Sequence, residues 1–515
     1  MTMRAEHSGT TFESGAPHVT VWTGFDGLRK MEIGGDGLRL STSKSISGTT
    51  GQFTLELLPR DGIGLTEKAI RSGAERLPLY LSAIAPNTPI SIGFEREGGV
   101  MLGLVRSCDW TTFAVGDKLQ DGITITGTDF GHMLDDHILQ MQVSTADHAR
   151  WTEAIKSVLG PDAPILKELV GAEGPVNAAG ERSLEGVTVQ AVAEYCLKRV
   201  AGMRVPVLRQ AFGGRGYIGD FTEVRASSFD GDLVYKTGLF TQETTVSGYL
   251  QEILDKDFYE FRMDTLPPDA AKGRNVARPV LVIRPKPFDE EAFQNVSLWP
   301  PTPRTSVSSW ERLTTMLDKD RHHQVDRGHV VGQVRLGRSR DEAFSFYTVQ
   351  NNNELGFTSS NASSGAAFPL YDLYNGTRFI TQRYDSRCSQ VAADPKKKSF
   401  ESLIGQSLGV RRNRLHCWYR ANPDFVTGSL RVRGKDSYRV GDPVWIPWLP
   451  DPLTGRPGIR AYCTAVNHEW SFGGGYACTL SLSRGHGPGF WEQHVRQVKS
   501  AMPLSLLKGW VSADR

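Results

Sequence analysis

Period-two alternation, interrupted every few residues by glycine or proline, constrains this chain more than any other feature. Thr50-Gly-Gln-Phe-Thr-Leu-Glu-Leu-Leu-Pro59 places Phe53, Leu55 and Leu57 on one side of an extended backbone. Asp121-Gly-Ile-Thr-Ile-Thr-Gly127 does the same with Ile123 and Ile125. Successive side chains of a strand point to opposite faces, so such runs bury one face and leave the other in water. The pattern returns late in the chain, in Ser429–Arg433, Pro443–Pro447, Ala461–Val466 and Tyr476–Leu482. The 54 glycines and 27 prolines among 515 residues exceed the usual ~12 %. They supply the turns that many short antiparallel strands require.

Helical periods lie between these runs. Short helices are expected over 65–73, over Asp129–Val143 (Phe130, Met133, Leu134, Ile138, Leu139) and from Thr145 through Leu159. Val189, Val192, Cys196 and Val200 form another stripe. Thr245 is placed to cap a helix whose apolar face is Val246, Tyr249, Leu250, Ile253 and Leu254. It runs into Phe258–Asp264, and Pro279–Pro285 reads as a buried strand. A helical stretch is expected near 398–416, and the last 25 residues read as helical. A faint internal echo links Val105…Trp110-Thr-Thr and Gly122–Asp129 with Val466…Trp470-Ser-Phe and Gly475–Ser483. Two similar β units in one chain would be a duplicated barrel.

The resulting division is a flexible arm (1–17), a first β-barrel domain (18–143) and a mixed α+β insertion domain (144–309). A second barrel domain with a helical insertion (310–485) and a C-terminal helix or tail (486–515) follow. The fold class is α+β and β-rich.

Fifty-nine basic against 57 acidic residues leave a net charge of +2. That balance argues against a dedicated nucleic-acid coat or a polybasic membrane binder. The basic runs Lys396–Lys398 and Arg411–Arg414 read as solvated faces. No run of 18 apolar residues exists, so no membrane span is expected. Met1–Pro17 has no apolar stretch of signal-peptide type, so a secretory leader is not expected. Cys108, Cys196, Cys388, Cys417, Cys463 and Cys478 are scattered without metal-ligand spacing and read as reduced thiols.

The motifs that suggest catalysis lack their contexts. Gly214-Arg-Gly-Tyr-Ile-Gly219 has the glycine spacing of a dinucleotide loop, but no helix opens after it. Gly405-Gln-Ser-Leu-Gly409 has the spacing of a nucleophile elbow around Ser407. Asp424, Asp436 and Asp442 then precede His468 and His486, but the flanks read as one helix followed by antiparallel strands. Asp318, Asp320, His322, His323 and His329 form a charged segment in which adjacent histidines point apart, so no metal site is expected. Asp135-Asp136 reads as a solvated helix face rather than an acid/base pair. No catalytic residue, cofactor or metal ligand is assigned. Phe490, Trp491, Val495, Val498 and Met502 form an amphipathic stretch expected to dock on a neighbouring chain.

Several segments together resemble the baseplate hub (tail hub) proteins of contractile-tailed phages and related injection machines. They are Ser47–Pro59 with Ile123–Gly131, Asp257–Asp264 with Arg278–Asp289, Leu336–Phe344, and Tyr438–Asp442 with Val466–Gly485. They fall between about residues 40 and 485; the N-terminal arm, much of 144–225 and the tail lie outside them. The resemblance implies two tail-tube-like barrels per chain and a homotrimer, hence six barrels in a ring between a six-fold tail tube and a three-fold spike. No oligonucleotide-binding barrel or β-helix repeat follows residue 485, so the spike is expected as a separate chain. The implied partners are the chain itself, the spike, a tail tube or tube-initiator protein, baseplate wedge proteins and the tape measure. DNA would pass without specific binding, and the location would be the virion's tail baseplate, after synthesis in the host cytoplasm. The alternatives are a tail-tip hub of a non-contractile phage and a tail-associated serine hydrolase acting through Ser407.

Overall fold

The computed structural model describes residues 16–23, 29–46, 48, 50–58, 77–95, 98–115, 118–136, 138–139, 187–188, 225–226, 233–234, 244–254, 258–266, 277–286, 323–339, 346–351, 364–367, 379–384, 418–419, 422–490 and 493. The fold is α+β and β-rich. Its largest element is a 13-stranded sheet, antiparallel along almost its whole path.

One half of that sheet comes from β1 (His18–Thr23), β2 (Arg29–Glu32), β3 (Gly37–Ser45), β4 (Gln52–Leu57), β5 (Pro89–Gly93), β6 (Met101–Val115) and β7 (Lys118–Asp129). Across the sheet they run β3-β4-β7-β6-β5-β1-β2. The alternation read from the sequence is the core pattern here. Phe53, Leu55, Leu57, Ile123 and Ile125 are all buried, together with Val19, Val21, Ile90 and Ile92. One face of these strands supplies most of the core, so the sheet must curl over itself. Leu77, Tyr80 and Ile84, from helix α1 (77–83) and its end, complete that core.

A small middle region follows. Helix α2 (His132–Asp136) is shorter than the helix expected over Asp129–Val143. Asp129 Oδ1 accepts the Gly131 N–H at 3.0 Å, which turns the chain into the helix. Residues 138–139 then pair with 244–245 as a strand, and that ladder ends the helix. The cap at Thr245 holds: its hydroxyl accepts the Gly248 N–H at 3.0 Å and opens α3 (Val246–Ile253). Val246, Leu250 and Leu254 are buried, as the helical period requires. Next come β8 (Tyr259–Leu266) and β9 (Arg278–Pro285), an antiparallel pair in register from Tyr259↔Pro285 to Leu266↔Arg278.

The other half of the large sheet comes from β10 (His323–Gln324), β11 (Val330–Arg338) and four strands near the C-terminus. Between β11 and those four lie β12 (Phe346–Asn351), β13 (Ser364–Ala367) and β14 (Phe379–Tyr384), a separate sheet with β12 in the centre. The four are β15 (Val426–Arg433), β16 (Pro443–Pro450), β17 (Pro457–Ser471) and β18 (Gly475–His486). Their order is β11-β15-β18-β17-β16-β10. Parallel pairing enters at β10–β16 and β12–β14. This half has its own core, with Leu430, Val432, Ile446, Ile459, Leu480 and Leu482 among its buried residues.

Six strands of the first half match the six of the second in order, although β1 runs antiparallel to β5 where β10 runs parallel to β16. In each, a three-residue 3-10 turn leads into a nine-residue strand, β3 or β11. In each, the last two strands are a hairpin of 15 and 12 residues, β6–β7 and β17–β18. Sheet order agrees as well, with β3-β4-β7-β6-β5-β1 matching β11-β15-β18-β17-β16-β10. The weak sequence echo is therefore the trace of a structural repeat. The halves differ in where extra chain is inserted. It lies between β4 and β5 in the first unit and between β11 and β15 in the second.

The expected helices over 65–73, 145–159, 189–200 and 398–416 lie outside the described residues. So do the glycine motifs at 214–219 and 405–409, Ser407, and both basic runs.

Candidate assembly interface

The most elaborate chemistry in the described residues sits where the two repeated units meet. The outer half of β17 pairs antiparallel with β3, from Ala465↔Ser45 to Ser471↔Arg39. Main-chain bonds extend the ladder at both ends: Ile46 N–H to the Thr464 carbonyl (2.8 Å) and Phe472 N–H to the Leu38 carbonyl (2.9 Å). One unit thus completes the edge of the other, which removes an otherwise adhesive row of backbone groups.

Side chains follow the same alternation across this seam. Val466, His468 and Trp470 share the core-facing side of β17 but meet three environments. Val466 belongs to the second unit's core, while Trp470, 4 % exposed, lies in the first unit's core. Its ring lies over Gly37, where an added Cβ would come within 3.2 Å of the indole. His468 sits between, buried and stacked near Phe94 at 5.8 Å. Phe94 also stacks on Tyr476 of β18, 4.2 Å apart at 12°.

A carboxylate fixes this stack. Asp436, almost fully buried, accepts the Phe94 N–H (3.1 Å), the Glu95 N–H (2.9 Å) and the Tyr476 hydroxyl (3.1 Å). Buried carboxylates need such donors, because an unpaired charge in a core is costly. Nearby, the Arg439 guanidinium donates to the Gly99 carbonyl. The bonds to Phe94, Glu95 and Gly99 span 340 to 342 positions of sequence.

His468 Nδ1 lies 3.1 Å from Cys478 Sγ and 2.7 Å from the Tyr476 hydroxyl. A Cys–His pair suggests a nucleophile, but the energetics point the other way. Burial pushes the Cys478 thiol up to about 12, and burial pushes the His468 imidazole down to about 3. Both are neutral, and Cys478 is 0 % exposed. A nucleophilic thiol needs the reverse shifts and an approach path. The pair is a structural hydrogen bond.

A second polar node ties β8–β9 to the second unit. Glu260 is fully buried and is bonded by Arg262, by Arg284 (Nε to Oε2, 2.7 Å) and by the Tyr462 hydroxyl. Burial pushes the Glu260 carboxyl up, but the two guanidiniums outweigh it and hold it below its usual value. Gly441 passes over this node with φ +86°, and a Cβ there would meet Glu260 and Arg262 at 2.9 Å. Beside the node is a cavity of about 820 Å³ walled in part by Tyr259, Trp418, Tyr462 and Arg484. Arg484 is engaged there, 3.7 Å over the Trp418 ring and bonded to Asn422 Oδ1 at 2.9 Å. A third contact joins the first unit to β8. Lys44 Nζ lies 3.5 Å from Asp129 and 3.5 Å from the Met263 carbonyl.

The residues singled out from the sequence fare differently. Phe490, expected to face a neighbour, is 1 % exposed and stacks on Phe425 at 5.1 Å. Gly489, at φ +76°, turns the chain back so that this ring closes its own unit. Trp491, Val495, Val498 and Met502 lie outside the described residues. His323 bonds Asp442 at 2.9 Å, and His329 accepts the Asp326 N–H in a capping box. Asp318, Asp320 and His322 are outside the described residues, among which no three metal-ligating side chains come together. Asp135 is not a solvated residue: it accepts bonds from the Thr50 and Ser247 hydroxyls and links the first unit to α3. Asp136 pairs with His132 at 2.6 Å. Asp436 and Glu260 gave no local signal, since Phe94 and Glu95 in the one case and Tyr462 in the other are distant in sequence. Among the described residues no helix is long and apolar enough to cross a membrane.

No protein-family model matches the chain, and no curated protein matches it. Solved structures do. The tail protein from Neisseria meningitidis MC58 is 11 % identical at a TM-score of 0.47, over 93 % of this chain and 99 % of that one. The 43 kDa tail protein of prophage MuSo2 from Shewanella oneidensis is 10 % identical at 0.46, over 91 % and 98 %. The prophage tail protein gp18 from Listeria monocytogenes EGD-e is 9 % identical at 0.42, over 94 % and 99 %. Along nearly its whole length, the chain is similar to phage tail proteins.

Proposed function

We propose that the chain is a structural hub of a phage tail baseplate. Three copies form a ring that joins the six-fold tail tube to the three-fold spike and leaves a channel for DNA. The observation that carries this reading is the repeat: two β units that share a six-strand order, joined edge to edge in one chain. A trimer of such chains presents six similar units on one side and three-fold features on the other, which is what a symmetry adaptor needs. The partners are then the chain itself, the spike, the tube or its initiator, the wedge proteins and the tape measure, in the virion's tail baseplate. The C-terminal stretch contacts a neighbour through Trp491, Val495, Val498 and Met502, with Phe490 reserved for the chain's own core.

The solvent-side face of the shared sheet supports a channel role. Ser41 and Ser43 on β3, Thr124 and Thr126 on β7, Asn467 on β17 and Thr479 on β18 lie on it, opposite the buried positions. Charges on that face pair with one another, Arg39 with Glu56 at 3.8 Å and Arg431 with Glu469 at 2.8 Å. A hydroxyl-rich wall with neutralised charges offers phosphates little to grip.

The test is solution mass together with negative-stain class averages of the purified chain. A three-fold ring with six lobes and a central hole, at three chain masses, is the expected result. A species that remains a single chain, alone and when co-expressed with the adjacent spike, sinks the proposal.

A further inference from the structure

The repeat leaves one junction made and its counterpart unmade. In chain order and sheet order β6 matches β17, and β3 matches β11. The outer half of β17 is covered by β3. The outer half of β6, from Ser107 onward, pairs only with β7 among the described residues. Likewise β3 is paired on both sides, by β4 and β17, whereas among the described residues β11 is paired on one side, by β15. Each unmade edge also carries apolar surface: Trp110 on β6 is 55 % exposed and Val331 on β11 is 44 % exposed.

The orientation of Trp110 strengthens the match. It pairs with Ile123, and its neighbour Cys108 pairs with Ile125, so both project from the core-facing side of the sheet. Cys108 packs against the first unit's core, but Trp110 lies beyond that core. On β17 the same progression runs from Val466, in its own core, to Trp470, in the adjoining unit's core. Trp110 therefore occupies the position of a residue directed at a neighbour, with no neighbour supplied by its own chain among the described residues.

We infer that the outer half of β6 in one copy pairs antiparallel with β11 of the next copy, burying Trp110 against that copy's second unit. The contact is heterologous, repeats the in-chain junction, and closes copies head to tail into a ring. This rests on the ring reading above and names the surfaces that would build it.

The experiment uses the full-length chain and sedimentation mass. Trp110→Glu damages one edge and Val331→Glu the other. Leu79→Glu, on the exposed face of α1, is the control. The wild type and the control are expected at ring mass, and each edge variant at one chain mass with an unchanged unfolding midpoint. An equal mixture of the two edge variants retains one sound pair of edges, so it is expected to form a two-chain species and no ring. Ring mass for either edge variant overturns the inference while leaving the ring reading intact. A two-chain species from either variant alone also overturns it, because an edge would then be pairing with its own kind. Loss of the ring in the control overturns it too. A wild type at one chain mass across a concentration series overturns the ring reading and the inference together.

Discussion

Trp110 and Trp470 sit on matching hairpins, and their surroundings are opposite. Trp470 is sealed in the core of the other unit, while Trp110 stands more than half exposed. The hairpins have the same strand lengths, so the difference comes from what adjoins them. This separates two meanings of an aromatic on a strand: one holds a fold together, the other awaits a surface.

The largest effect should come from the sealed ring. Trp470→Ala leaves a hole between two units and is expected to lower stability by about 3–5 kcal/mol. Trp110→Ala should change the isolated chain by less than about 0.5 kcal/mol, as an exposed substitution does. Denaturant titration of both variants decides the matter, and equal losses would mean that the two sites are not different in kind.

Breaking the node at Glu260 comes close behind. Glu260→Gln leaves Arg262 and Arg284 buried beside a neutral amide, and about 3–5 kcal/mol is expected from an uncompensated buried charge. The same denaturant titration reads it. No change in midpoint would show that water, not Glu260, satisfies the guanidiniums.

The effect that is smallest at neutral pH is a slope. His468 stays neutral down to about 3, against an ordinary 6.5. Its share of stability is complete above 6.5 and is lost as pH falls toward 3, at about 1.4 kcal/mol per pH unit. Asp129 acts in the opposite sense. Burial raises its carboxyl to about 6 from 3.8, so its share is complete below 3.8 and is lost as pH rises through 6. Over the interval they share, the junction favours higher pH and the Asp129 site lower pH. The two slopes offset in the wild type, so His468→Gln should remove the acid-sensitive part and leave a stability that falls with rising pH between about pH 4 and about pH 6. Superimposable profiles for variant and wild type would refute the assignment.

Local chemistry was readable in the sequence. The alternation in 50–59 and 121–127 identified core faces, and Thr245 announced its helix. Long strands were harder. The alternation of β17 is broken by irregularities between Arg460 and Tyr462 and between Cys463 and Ala465, so only its middle read as a strand. The joining of the two units was beyond local pattern, because β3 and β17 lie near opposite ends of the chain. Asp436 reads as an ordinary turn aspartate until Phe94 and Glu95 are brought to it. Phe490 misled for a related reason: an apolar residue after the last strand can face outward or fold back, and the glycine turn that decides is visible only in three dimensions.

The seam between β3 and β17 also sets a timetable for synthesis. The N-terminal unit leaves the ribosome first, yet its core lacks Trp470 and its β3 edge lacks a partner until nearly the whole chain has emerged. Contacts between such distant segments form late and slowly. The first unit must therefore wait, incomplete, for the last hairpin. Any chain that terminates before residue 465 would carry that open edge permanently, which makes the seam a checkpoint for full-length product.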